Sequence, residues 1–302
     1  MEHKTYDVLI VGGSYAGLQA ALTLARSLRT VLVLDDQQPA NKYAPKSHNF
    51  LLHDGDDAAH LRAIAREQAL AYPTIEILEH TAVFAEKNNK LFTVKDSDGN
   101  TFTSRKLLLA TGLKDIMPDI NGFEECWGKS IVHCPYCHGY EIKDKDLGIM
   151  TFPEAAVEFV PLVYNLSSKI TLFLDGEPEK KTQNFIADKN IKLVKENIAE
   201  ALHENGQLHT VVTKEGGAYP LDALFVSLNC SQQNELAIQL GCKICDDRFI
   251  DVDVVGQTNI PGLYAAGDCT TPMRAISVAI AAGYKAGIAI NNELIEDSLK
   301  KD

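Results

Sequence analysis

The chain of 302 residues is short of several things, and each shortage removes a class of function. Lysine and arginine number 29 against 41 acidic residues, giving a net charge of -12 and a pI near 5.2. A nucleic-acid backbone, which needs clustered cations, is therefore excluded as a partner. No apolar run approaches the roughly 20 residues required to span a bilayer. Met1-Glu2-His3-Lys4 leads straight into a strand-like run instead of a secretion signal, so the expected location is the cytoplasm. Tandem repeats and low-complexity tracts are missing too. The seven cysteines, at 126, 134, 137, 230, 242, 245 and 269, are odd in number and do not form the framework of a secreted disulfide scaffold.

What is present is a large folded core, at 45% hydrophobic residues, with room for two domains. Tyr6–Val11 is an apolar run ending in Gly12-Gly13, Gly17–Leu28 has helical apolar spacing, and Val31–Asp35 is a second buried strand. That order is the first βαβ unit of a parallel sheet covered on both faces. A helix is expected over Asp54–Tyr72, followed by an antiparallel meander around 82–84, 91–95 and 101–103, and a return to the sheet through Leu107–Gly112. After Pro118 the composition changes. Residues 147–174 again read as strand, helix, strand, residues 191–226 hold several short strands, and a long helix, roughly Ser277–Leu294, precedes a charged tail expected to fray. The expected class is α/β: two Rossmann-like nucleotide-binding domains of three layers (ββα), the second inserted into the first. Residues 1–114 and 246–302 form the first and 115–245 the inserted one.

Gly12-Gly13-Ser14-Tyr15-Ala16-Gly17 matches G-x-G-x-x-G at its outer glycines and places Ser14 at the middle one. A serine adds little bulk there, and its hydroxyl can donate to a phosphate. The helix beginning near Ala16 directs its N-terminal N–H groups at the anion, and Asp35 ends the second strand where a ribose-binding carboxylate belongs. Gly267-Asp268, late in the chain, favours FAD over NAD as the dinucleotide.

His133-Cys134-Pro135-Tyr136-Cys137-His138-Gly139-Tyr140-Glu141 places a C-x-x-C pair between two histidines. Such a pair closes a disulfide when a neighbouring group lowers a thiol pKa, and an imidazole can hold the proton while a thiolate forms. Zinc is disfavoured, because Cys242 and Cys245, the other C-x-x-C pair, lie far beyond the spacing of a zinc ribbon. No metal site is expected.

Taken together, Val11–Leu18, Ala110-Thr111-Gly112, Cys134-Pro135-Tyr136-Cys137 and Gly262–Asp268 resemble the low-molecular-weight thioredoxin reductase family of flavoproteins over nearly the whole chain. The resemblance implies FAD, a homodimer, Cys137 facing the flavin and forming its transient adduct, and Cys134 exchanging with substrate. Thr111 and Gly112 fall at the return to the cofactor, and Arg274-Ala275-Ile276 falls where the family meets the flavin pyrimidine edge. Ser47-His48-Asn49-Phe50-Leu51 and Cys137–Glu141 look most like the dithiol oxidase branch acting on gliotoxin- and holomycin-type metabolites. His138 then takes the general acid/base role that an aspartate holds in the reductases.

One element of that family is missing. Where a second glycine turn binds the nicotinamide nucleotide, this chain reads Met150-Thr151-Phe152-Pro153-Glu154-Ala155-Ala156, and after the next strand Asp175-Gly176-Glu177 replaces basic residues. Proline removes an N–H and glutamate adds charge where phosphate would bind. The expected enzyme is therefore a nicotinamide-independent FAD-dependent thiol/disulfide oxidoreductase. A substrate dithiol exchanges with Cys134-Cys137, FAD takes the electrons, and oxygen accepts them with release of peroxide. A ferredoxin- or NADPH-fed reductase of a thioredoxin-like protein uses the same residues and is the alternative; a non-catalytic flavin redox sensor is a reading of another class. Cys242 with Cys245, beside Asp246 and Asp247, is expected to be a coincidental pair of thiols and Cys269 a small residue in a tight place. The resemblance puts His48, His53 and His60 near the flavin; they are expected to be solvated or capping, with a part for His48 in moving a substrate proton as the alternative. Cys126 and Trp127 receive no role.

Overall fold

The computed structural model describes residues 4–245 and 248–300, and within it the chain divides into two compact units. The first comprises Met1–Ala40, Ala59–Lys114 and Cys230–Asp302, and the second Asn41–Ala58 and Asp115–Asn229. The chain thus returns to the first unit at Cys230 and not at 246, because Leu236, Ala237 and Leu240 bury in the core of the first sheet with Leu9 and Leu107. Segment 41–58, expected in the first domain, clusters with the second.

In the first unit, Thr5–Val11 lies between Val31–Leu34 and Thr101–Leu109, parallel to both, with Ile75–Leu78 beyond the former and Leu263–Ala265 parallel to the end of the latter. Alternate side chains divide between two cores. Val8, Ile10, Val31, Val33 and Leu108 face the helices Tyr15–Ala25 and Ile276–Leu299, whereas Leu9, Val11, Leu32, Leu107 and Leu109 face the other way. The two helices meet closely at Gly283, where an added Cβ would lie 2.1 Å from the Ala16 carbonyl oxygen. The meander strands Ala82–Asn88 and Leu91–Asp96 are longer than the periodicity suggested, and its third strand is continuous with the sheet strand Thr101–Leu109. Leu28, read as part of a helical apolar face, is 85% exposed, because the first helix ends at Ala25 and Leu28 turns out at φ 62°. The final helix runs to Leu299, past the expected fraying point; residues 246–247 and 301–302 of the sequence reading lie outside the described residues.

The second unit is built on a wholly parallel sheet in the order Ile131–Val132, Ala223–Val226, Leu147–Thr151, Ile170–Leu174, Lys192–Val194. Helices Pro153–Tyr164 and Lys180–Asp188 cover one face through Ile149, Val160, Leu172 and Ile186. The antiparallel strands Ile198–Glu204, Gln207–Thr213 and Ala218–Pro220 cover the other, completing three layers. No helix among the described residues is long and apolar enough to cross a membrane.

Candidate active site

In an open parallel sheet, ligands bind at the carboxyl ends of the strands, where the helix N-termini and loops converge. The first unit brings four expected segments to that edge: Gly12–Gly17 after Thr5–Val11, Asp35 after Val31–Leu34, Ala110–Gly112 after Thr101–Leu109, and Gly267-Asp268 after Leu263–Ala265.

The glycines of the turn are sterically required. A Cβ at Gly12, where φ is 108°, would lie 2.2 Å from the Ala110 carbonyl oxygen, and one at Gly17 would lie 1.9 Å from that of Gly12. Gly13 leaves room for the Asp35 carboxylate, to which its N–H donates at 3.2 Å. Ser14 is the N-cap of the first helix in extended conformation, yet its side chain makes no capping bond. Its hydroxyl and the helix's free N–H groups thus remain for an anion. Asp35 Oδ2 lies 3.7 Å from Arg66, and burial raises the carboxyl pKa against the opposing N–H donors of Gly13 and Gln37. Around Gly112, at φ 68°, an added Cβ would meet nothing within 4 Å. Gly267 has φ 87° and ψ -158°, a conformation essentially confined to glycine. Asp268 pairs with Arg274 at 3.4 Å, and Ala275 caps the helix from Ile276 without a side-chain bond. This cradle of backbone N–H groups, small residues and the partly buried carboxylate of Asp35 fits a dinucleotide. Cys269 is buried, donates to the Leu109 and Ala266 carbonyls, and has its thiol pKa pushed up by burial to about 11, so it is an inert packing residue.

In the second unit, the strand Ile131–Val132 delivers the redox segment. Cys134 and Cys137 form a disulfide, with Cα atoms 5.3 Å apart. Cys134 is the N-cap of the one-turn helix Pro135–His138, and its sulfur accepts from the Cys137 N–H at 3.1 Å. Proline at the first position and Gly139 after the last are what such a short turn requires, since a Cβ at Gly139 would strike Leu166 and the Pro135 carbonyl at 2.4 Å. His133 stacks on Trp127 with centroids 5.6 Å apart, and Trp127 stacks in turn on Phe123 at 5.8 Å. Trp127, which sequence reasoning left without a role, is thus the support beneath the redox segment.

His138 is different. Its Nδ1 is buried and forms no hydrogen bond of good geometry among the described residues, and burial lowers the ring's pKa against the nearby Cys134 carbonyl and the Glu141 carboxylate, which raise it. The ring is accordingly neutral near pH 7 and able to accept a proton. His48, read as solvated, instead reaches into this neighbourhood: its Nδ1 lies 3.6 Å from Glu141 and 3.7 Å from Asp54. The signal was present in the sequence, where Glu141 closes the redox motif, but nothing in spacing connects position 48 to position 141.

At the carboxyl edge of the second sheet the described residues form no glycine cradle. Phe152 is the N-cap of Pro153–Tyr164, and Pro153 occupies the first helical position. Gly176 abuts the proline ring, such that an added Cβ would lie 3.3 Å from Pro153 Cγ. Thr151 and Ser227, at neighbouring strand ends, bond to each other at 2.8 Å instead of facing a ligand. Glu154 is exposed in the first helical turn and Glu177 pairs with Lys195. Cys242 and Cys245, in the first unit, are both free thiols, the former with its pKa pushed up to about 11 by burial.

A family model, that of the pyridine nucleotide-disulphide oxidoreductases, matches residues 6–283. The chain belongs to that family. It is 30% identical to thioredoxin reductase sirT of Leptosphaeria maculans, over 95% of this chain and 93% of that one. Thioredoxin reductase aclD of Aspergillus oryzae is likewise 30% identical and covered end to end in both. Among solved structures, HlmI superposes with a TM-score of 0.93 at 29% identity, over 98% of this chain and 95% of that chain. An oxidoreductase from Agrobacterium tumefaciens gives 0.90 at 31%, over 97% and 99%. The expected thioredoxin reductase-like flavoprotein fold is therefore present, and the chain is an oxidoreductase of the disulfide/dithiol class.

Proposed function

We propose that this member of the family is a nicotinamide-independent, FAD-dependent dithiol oxidase that closes a disulfide in a small dithiol metabolite, with oxygen as terminal acceptor. The observation that carries the reading is the contrast between the two carboxyl edges. One is a glycine cradle with an unspent serine hydroxyl; the other is filled by Phe152 and Pro153, bordered by Glu154 and Glu177. In the reading, Gly12, Ser14, Tyr15, Ala16, Gly17 and Asp35 hold the adenosine and pyrophosphate of FAD, Thr111, Gly112, Gly267 and Asp268 its middle, and Arg274, Ala275 and Ile276 the ring end. When bound, FAD supplies a two-electron acceptor for the Cys134/Cys137 dithiol. The protein's own part is disulfide exchange at Cys134-Cys137, with His138 as the base and His133 ordering the segment through its stack on Trp127.

The experiment is anaerobic mixing of the yellow holoprotein with NADPH, NADH and dithiothreitol in parallel, following flavin absorbance. Bleaching by the dithiol alone is expected; prompt bleaching by NADPH overturns nicotinamide independence. The names of the relatives favour a second reading, reduction of a thioredoxin-like protein with electrons from ferredoxin or NADPH, and the exposed Tyr136 and Tyr140 beside the redox pair suit a protein surface. Faster exchange with oxidised thioredoxin than with small disulfides would select it. Absence of any turnover with a dithiol and oxygen would leave a redox sensor.

A further inference from the structure

Oxidising a dithiol to a disulfide takes two protons off sulfur. In the first exchange a substrate thiol loses its proton and its sulfur attacks Cys134 Sγ. The Cys134–Cys137 bond breaks, and the electron pair leaves on Cys137. In the second exchange the other substrate thiol loses its proton and attacks the substrate sulfur of the mixed disulfide, and the pair leaves on Cys134. The substrate is oxidised by two electrons, the enzyme disulfide is reduced by two, and two protons have left the substrate. One neutral imidazole holds one of them.

His138 sits where that shortage matters. Its Nδ1 is buried and makes no hydrogen bond of good geometry among the described residues, with the Cys134 carbonyl as the acceptor nearest to hand. The charged groups acting on the ring are Glu141, three residues on in the following turn, and His48, which arrives from the separate hairpin Lys46–Ser47 with Asp56–Asp57. His48 Nδ1 stands 3.6 Å from the Glu141 carboxylate and 3.7 Å from Asp54, whose oxygen also accepts the Asn49 N–H at 2.7 Å. Along the path from Glu141 through His48 to Asp54 the side chains are 43%, 23% and 70% exposed, so each reaches solvent and Asp54 lies at the surface. The hairpin holds His48 in place through the Gly55 N–H to Ser47 carbonyl bond of 2.8 Å. The His48 Nδ1 faces both carboxylates at 3.6–3.7 Å, longer than a direct hydrogen bond, so a proton passes between these partly exposed groups by way of solvent.

We propose that His138, Glu141 and His48 work as one proton-handling unit. His138 takes the proton of the first thiol, and Glu141 and His48 pass it out to Asp54 and solvent, so that the ring is neutral again for the second. The proposal rests on the dithiol oxidation argued above. Glu141 and His48 are positioning residues, acting on the substrate only through His138. They also act on it in opposite electrostatic senses, the carboxylate favouring its protonated form and a charged His48 opposing it.

The test uses the holoprotein under anaerobiosis with dithiothreitol, recording the bleaching rate from acid to neutral pH in wild type, Glu141→Gln and His48→Ala. The His138 ring is titrated in the same proteins by NMR. Both variants are expected to bleach about 10-fold more slowly, a part of the 10²–10⁴ available to general acid–base catalysis. Their acid limbs and ring titrations should move in opposite directions, down in Glu141→Gln and up in His48→Ala. Added imidazole should restore the rate of His48→Ala, and Glu141→Asp should keep the wild-type limb even if Glu141→Gln loses its colour. Unchanged rates and limbs, or limbs displaced the same way, overturn the unit while leaving dithiol oxidation standing. A wild-type protein that dithiothreitol does not bleach removes dithiol oxidation itself.

Discussion

Asp96 shows how much a single buried carboxylate contributes away from the active site. It ends the strand Leu91–Asp96 with its side chain wholly buried, and it accepts from the Asn100 side chain at 2.8 Å, from the Asn100 and Asp98 N–H groups, and from His80. Burial alone would raise its pKa; the bonds from Asn100, His80 and Asp98 outweigh it and bring the value down to about 2. The folded pKa is depressed below the ordinary 3.8, so the stability this group contributes is fully present above that value and is lost as pH falls through about 2. Asp96→Asn is expected to cost about 2 kcal/mol at neutral pH and nearly nothing near pH 2, read from urea midpoints at the two pH values. The meander strands around 91–95 and 101–103 were legible in the sequence; the histidine that completes the lock, 16 residues before Asp96, was not. His138 and His48 repeat the lesson at the redox site. Position 138 is marked by its motif, whereas the function of position 48 depends on a contact with Glu141 that no local pattern encodes.

At the level of elements, the glycine turn and the first helix were readable because their constraints are local: a tight turn, free N–H groups and an apolar stripe. The meander and the sheet return were read as separate pieces, although Thr101–Leu109 is one strand serving both, antiparallel to Leu91–Asp96 in its first half and parallel to Leu263–Ala265 in its last. Strand periodicity carries no information about which neighbour pairs with which half. The contact between Tyr15–Ala25 and Ile276–Leu299 is another element-level fact, since Gly283 looks like a weak point in a helix until it is seen against the Ala16 backbone. Gly283→Ala would favour an isolated helix by propensity. Here it is expected to destabilise the first unit by about 3 kcal/mol through overpacking, lowering the thermal midpoint followed by circular dichroism and releasing the cofactor on gel filtration.

For the whole molecule, the net charge of -12 and the apolar content bounded the partners and the size of the core, and the family resemblance carries the expectation of a homodimer. Sedimentation at twice the 33.1 kDa of one chain is the expected result, and a species at the single-chain mass would discard it. By itself the sequence determined the α/β class, the positions of the Gly12 turn and the Cys134–Cys137 pair, and the loss of the second glycine turn. Each of these is written in residues within a few positions of one another, where backbone sterics and short-range chemistry decide the outcome. Tertiary structure alone decided that residues 230–245 pack with the first sheet, that segment 41–58 belongs with the redox unit, and that His48 stands beside Glu141. Those outcomes depend on which apolar faces bury against each other, and burial is settled by the whole chain at once.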